Sequence, residues 1–145
     1  MGETQKKGDL GVSIAIGDLK KQGIDSSIPI SESLSYDLVG DYKGTLKRIQ
    51  VRYSKISKSK KGIIETKLKS VWSNSKGYQV RKREVSDFEI LCIYCPDTDK
   101  CYYLKAEDFN NSTAIALRVV ASKINIKTIR YADDYRDCIR CFGSV

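Results

Sequence analysis

Residues 36–54 read YDLVGDYKGTLKRIQVRYS. From Ile49 onward, apolar Ile49, Val51 and Tyr53 alternate with Gln50, Arg52 and Ser54. This is the period-two pattern of a strand with one face on a core, and the strand is expected over 45–54. LSYDLV at 34–39 reads as the strand before it, with Gly40-Asp41 and Lys43-Gly44 as turn-like pairs between the two. A hairpin of that length brings Asp37 close to Gln50, thirteen residues later, and puts Gln50 and Arg52 on one face. Such a group has the parts needed to hydrolyse a phosphodiester. Asp37 supplies a hard oxygen ligand for a divalent cation, and the Gln50 amide oxygen and the Val51 main-chain carbonyl can supply more. Arg52 supplies fixed positive charge for the charge that develops on the phosphate.

On the N-terminal side, GDLGVSIAIGDLKKQ at 8–22 reads as a helix, with Leu10, Ile14 and Leu19 joined by Val12 and Ile16 in a broad apolar stripe. Gly23 is its stop signal. Gly11 and Gly17 weaken the helix unless they permit close approach of a neighbouring element. Met1 to Gly8 are polar and are expected as a short disordered lead. IDSSIPI at 24–30 reads as a first strand that Pro29 confines to an edge or an end. On the C-terminal side, DFEILCIYC is a strongly apolar strand. Pro96, Asp97 and Asp99 make a turn, and CYYLKAEDF is the paired strand. TAIALRVVA is strand or helix, and 131–142 reads as a short C-terminal helix.

Between these blocks, residues 55–84 hold ten Lys plus Arg against two Glu, a surplus equal to the whole chain's net charge of +8. GIIETKLKSVW, SNSKG and YQVRKREV read as a long hairpin with a polar turn at Ser73 to Gly77. Trp72, Asn74, Tyr78 and Gln79 lie among its cations. A two-stranded ribbon fits the major groove of DNA, where Arg, Gln and Asn read base edges and Lys anchors on phosphate. The expected DNA-contacting set is Lys58, Lys60, Lys61, Lys67, Lys69, Gln79, Arg81, Lys82 and Arg83.

The chain of 145 residues is one domain's worth and can bury a core without disulfides. It contains no histidine. That excludes Ser–His and Cys–His nucleophile systems, His-liganded zinc and histidine-containing nuclease motifs within this chain. A basic surplus suits a polyanionic partner. No run approaches the length of a membrane span and no signal peptide or lipidation motif is visible, so no membrane association and cytoplasmic residence are the expectations. Five cysteines, an odd number, argue against a disulfide framework. Cys92 and Cys95 in an apolar strand point to opposite faces, and Cys138 and Cys141 fall on a helix-like segment, so zinc is not expected.

The order of these features resembles a known family. KKGDLGVSIAIGDLKKQG, Pro29, YDL, RIQVRY, YCPDTDKCYYL and EDFNNSTAIALR, spanning roughly residues 6 to 135, are similar to the group I intron-encoded homing endonucleases of the PD-(D/E)xK, restriction-enzyme-like superfamily. The motif positions match Asp37, Gln50 and Arg52. The resemblance implies an α/β (α+β) fold: a restriction-endonuclease-like core with a mixed β-sheet flanked by helices, carrying the basic hairpin of 55–84 as an extension of a single domain over 1–145. It implies a Mg²⁺ cofactor (with Ca²⁺ or Mn²⁺ as substitutes in crystals), double-stranded DNA as partner, a dimer or tetramer of the chain, and a double-strand break at a long target.

Three positions depart from the family pattern. No proline precedes Asp37, Gln50 stands for an acid, and Arg52 stands for a lysine and cannot act as a base. Lys55 is a second candidate for the motif lysine, and Asp9 for the carboxylate that the first helix offers such sites. A branched-DNA (Holliday junction) resolvase shares the core, and a DNA-binding module on a decayed nuclease scaffold would explain Gln50 and Arg52. The long basic hairpin favours an enzyme that reads sequence.

Overall fold

A computed structural model describes residues 2–74, 77–82, 87–109, 112–121 and 129–143, without the side chains of 69–74 and 77–82. Helix α1 spans Glu3–Lys21. The expected disordered lead is therefore mostly helix: six residues ahead of Asp9 have few apolar side chains, but the turns behind them propagate a helix already nucleated on the core. Gly11, Ala15 and Leu19 form its buried stripe, four residues apart, while Leu10 is exposed. Gly11 lies against β-sheet residues, and a Cβ there would sit 3.4 Å from Val51 Cγ1. Gly17 faces open space and has no such packing reason.

Five strands form the main sheet: β1 (Asp25–Ser27), β2 (Leu38–Tyr42), β3 (Thr45–Tyr53), β7 (Ile90–Cys95) and β8 (Lys100–Lys105) in the order β1-β2-β3-β7-β8. The β3–β7 pair is parallel and the other pairs are antiparallel, so the sheet is mixed, as expected. β1 is short and at the edge, with Pro29 just beyond it. The β2–β3 turn is Lys43-Gly44, whose φ values of 51° and 86° are both positive, the backbone that lets a two-residue hairpin follow the strand twist. Gly40-Asp41 is not a turn. It lies inside β2, opposite Lys47 and Leu46, because the tighter Lys43-Gly44 pair already reverses the chain.

β7 is buried on both faces, which explains its unbroken apolar run. Ile90, Cys92 and Tyr94 join Ile49, Val51, Tyr53, Cys101 and Tyr103 under α1. Leu91, Ile93 and Cys95 join Tyr102 and Leu104 in a second cluster on the opposite face. That face is covered by β4 (Ile63–Lys67) paired with β9 (Ala114–Arg118), through Ile64, Leu68, Ile115 and Leu117. A helical turn, α2 (Ala106–Phe109), follows β8, where the paired strand was expected to continue. The C-terminal segment is two 3₁₀ turns, Ala132–Tyr135 and Ile139–Phe142, rather than one helix.

The expected hairpin of 55–84 divides. Residues 63–67 pair with β9, because Ile64 and Thr66 are buried and need a partner face. Only β5 (Lys69–Asn74) and β6 (Gly77–Lys82) form a ribbon, with Asn74 opposite Gly77 and Lys69 opposite Lys82. All five cysteines are free and buried. Cys92 and Cys95 lie in different clusters, as strand alternation requires. Burial pushes the Cys92 thiol well up, so it is held neutral and inert. Among the described residues, no helix is long and apolar enough to cross a membrane.

Polar bonds fasten the end of α1 to the rest. Tyr103 Oη donates to Asp18 at 2.7 Å, and Gln22 bridges Asp18 and the Cys138 N–H. Next to this clamp, Gly40 is closed in. A Cβ there would lie 2.9 Å from Ile49 Cδ1, 3.2 Å from Phe142 Cζ and 3.3 Å from Ile24 Cγ2. Gly40→Ala is therefore expected to destabilise the chain by about 1–3 kcal/mol through overpacking, seen as a lower urea midpoint with an unchanged slope.

Candidate active site

Asp37 stands immediately before β2. Its N–H donates to the carbonyl of Ile49 at 2.9 Å, the residue already paired with Leu38, so two residues face one at the end of the ladder. The pairing is therefore offset by one residue here: the hairpin brings Asp37 to the Ile49–Val51 stretch, as its length required, but not into direct opposition with Gln50. Here β2 stops and the edge of β3 opens. The Asp37 carboxylate takes over the missing strand's role: its Oδ2 accepts the Val51 N–H at 2.8 Å. A residue of an antiparallel strand turns its N–H and C=O to the same neighbour. The Val51 carbonyl therefore points to the same open edge as the Asp37 carboxylate. The approach to Asp37 is fixed by Ser35, whose Oγ donates to the Asp87 carbonyl at 2.9 Å, and by Tyr36, whose ring lies 5.8 Å from the Arg48 guanidinium. Arg48 is held in turn by Glu89 at 2.6 Å.

Gln50 and Arg52 are half-buried on the face of β3 turned away from α1, since Ile49, Val51 and Tyr53 pack on the α1 side. The Gln50 Oε1 atom is buried and has no hydrogen-bond partner among the described residues. Leaving a buried acceptor unpaired costs about 1–3 kcal/mol, so this oxygen is open to a water or a cation. Asp37 has a second carboxylate oxygen to offer at the edge of β3, and the Val51 carbonyl adds a third donor. This donor set of hard oxygens suits a divalent cation such as Mg²⁺. Among the described residues, no three acidic or cysteine side chains converge on one point.

On the α1 side, a cleft of about 560 Å³ joins the helix to the segment 28–37. It is lined by both Asp9 and Asp37. The exposed Asp9 is thus brought to Asp37, whereas Gln50 and Arg52 are not part of the cleft wall. The cleft also holds Glu32, which sequence reasoning missed. It sits in a loop with no periodicity, and only its place five residues before Asp37 hints at it.

The cationic candidates are distributed more widely. Lys58, Lys60 and Lys61 are exposed on the loop that leaves β3, together with Lys55. Lys60 Nζ bonds Glu65 at 2.7 Å and holds that carboxyl below its usual range. Lys67 is exposed at the end of β4 and not on the ribbon. Lys69, Gln79, Arg81 and Lys82 lie on β5 and β6, their side chains outside the described residues, and Arg83 lies wholly outside them.

A family model described as PD-(D/E)XK endonuclease matches residues 2–138. Among solved structures, the chain is similar to that of a bacterial homing endonuclease, I-Ssp6803I, with a TM-score of 0.78 and 25% identity over 96% of this chain and 92% of that one. No curated protein matches.

The bond between Asp37 and Val51 has a measurable consequence of its own. Asp37→Ala leaves a half-buried N–H without its acceptor and is expected to cost about 1–2 kcal/mol. Asp37→Asn keeps an acceptor oxygen and should cost clearly less. Urea unfolding of the two variants against the parent checks the order.

Proposed function

The chain belongs to the PD-(D/E)XK endonuclease family, and from that premise we propose that it is a Mg²⁺-dependent enzyme making double-strand breaks at a long, specific DNA site, as a homing endonuclease does. The observation that carries the reading is the Asp37 carboxylate held on the open edge of β3 by the Val51 N–H, with the buried, unpartnered Gln50 oxygen on the adjoining residue. Asp37, Gln50 and the Val51 carbonyl would hold the cation. When bound, it polarises the phosphoryl oxygen and activates water for hydrolysis. The chain's own residues do the rest. The Val51 N–H orients Asp37, Asp9 faces it across the cleft, and Arg52 offers a charge that never titrates to the phosphate.

Specificity for a long site is assigned to the β5–β6 ribbon, with the lysines of the 55–61 loop as phosphate anchors at the exit of β3. The DNA-reading element is thus narrower than the whole of 55–84. One chain presents one such centre, and two strands must be cut, so a symmetric dimer or tetramer belongs to the proposal. Similarity to a bacterial homing endonuclease over nearly all of both chains supports the site-reading part.

Asp37→Asn should lose cleavage while keeping DNA binding. Plasmid nicking in Mg²⁺ that stays within about tenfold of the parent, a barrier change under roughly 1.4 kcal/mol, would remove Asp37 from the role. Gln50→Glu should keep the fold and retain cleavage, because a carboxylate oxygen replaces the amide oxygen. For the anchors, Lys58→Ala and Lys61→Ala should each lower the slope of log affinity against log salt by about 0.9. Lys60→Ala should change it less, because Glu65 already matches that charge. Fluorescence-anisotropy titrations at several salt concentrations distinguish the three.

A further inference from the structure

Between β1 and β2 the chain makes an excursion whose tip is apolar. Ile28 is 66% exposed, Leu34 43% and Ile30 102%, as open as in an unfolded chain. Single exposed aliphatic residues are ordinary, but three within seven residues are a patch. The tip is not a loose strap. Pro29 fixes its own φ, the Ser31 and Ser33 hydroxyls bond at 2.8 Å, and Ser35 and Asp37 pin its return to the Asp87 and Ile49 carbonyls. Ile28 and Pro29 form part of the same cleft wall as Asp9 and Asp37. Ile30 follows directly, clear of that wall.

We propose that Ile30, carried on the Ile28–Pro29–Ile30 tip, is an apolar wedge that enters the base stack of DNA seated at the cleft. The inference rests on the endonuclease reading above. A duplex whose backbone reaches Asp37 comes up to the base of the tip, because Ile28 and Pro29 share one cleft wall with Asp37 and carry Ile30 next to it. A stiff aliphatic side chain beside a backbone contact is the device by which proteins pry a base step apart and bend the duplex. The kink would hold the scissile phosphate against the Asp37 edge and favour flexible pyrimidine–purine steps that no side chain need read directly. A contact between copies of the chain is the other occupant, and the test distinguishes it.

The test uses the full chain in Ca²⁺ and a labelled duplex of about 30 base pairs, intact or with one central abasic site, where unstacking is already prepaid. The parent should bind the abasic duplex about tenfold more tightly than the intact one. Ile30→Ser should bring that ratio close to one, and Ile30→Leu should restore it. A parent ratio near one, or a ratio that Ile30→Ser leaves unchanged, overturns the wedge. Asp37-dependent plasmid nicking in that case leaves the endonuclease reading standing. A parent that binds neither duplex and nicks nothing overturns both. A drop in mass by light scattering for Ile30→Ser identifies the tip as a contact between copies and also overturns the wedge.

Discussion

The Asp37–Val51 hydrogen bond sits where two demands on one strand meet. β3 must pair with β2 to keep Ile49 in the core, and under the proposed function it must also free its edge so that main-chain groups can serve a site. The chain meets both by ending β2 at Leu38 and letting a carboxylate occupy the next position on the ladder. A neutral side chain of similar shape would close the same edge but leave no charge there. The acid is therefore a structural cap with an oxygen to spare, and fold and candidate site share one atom group.

This edge is rigid because β7 is clamped between two cores. Under α1, Val51 and Tyr53 pack against Gly11 and Tyr94, which fixes the height of the helix and with it the place of Asp9. On the other face, the β4–β9 pair closes over Leu91 and Ile93. Gln50 and Arg52 emerge at the border of that second core, and this explains how an amide oxygen comes to be buried without a partner. The long connection from β3 to its parallel neighbour β7 carries the basic loop, β4 and the ribbon, so the elements richest in cations are tethered at the end of the strand that bears the site.

Local rules made part of this legible. The Lys43-Gly44 turn, the alternation of Ile49 to Tyr53 and the opposed faces of Cys92 and Cys95 all follow from neighbours in sequence, and the approach of Asp37 to the Ile49–Val51 stretch follows from them; its one-residue offset does not. What was not legible depends on distant partners. Ile63–Lys67 reads as a hairpin arm in isolation, and only β9, some fifty residues on, diverts it. Glu3 to Gly8 read as a polar lead because nothing local shows that the helix is already nucleated at Leu19 and Ala15. Glu32 joins the cleft through a loop, where no periodicity carries information.

Two of the three departures from the family motif, Gln50 and Arg52, become less isolated in this setting. Under the proposed function, a Gln at position 50 would remove one negative charge from the cation's surroundings, and an Arg at 52 would keep a permanent positive charge near it. Both weaken cation binding if Asp37 stands alone. It does not: Asp9 and Glu32 line the cleft on the α1 side of the same edge, and their charges act over several ångströms even without direct ligation. Under the proposed function, charge lost on one face of β3 would be offset from the other. On this reading the motif is not decayed but divided between the two faces of the sheet, with Asp37 at the edge as the residue common to both.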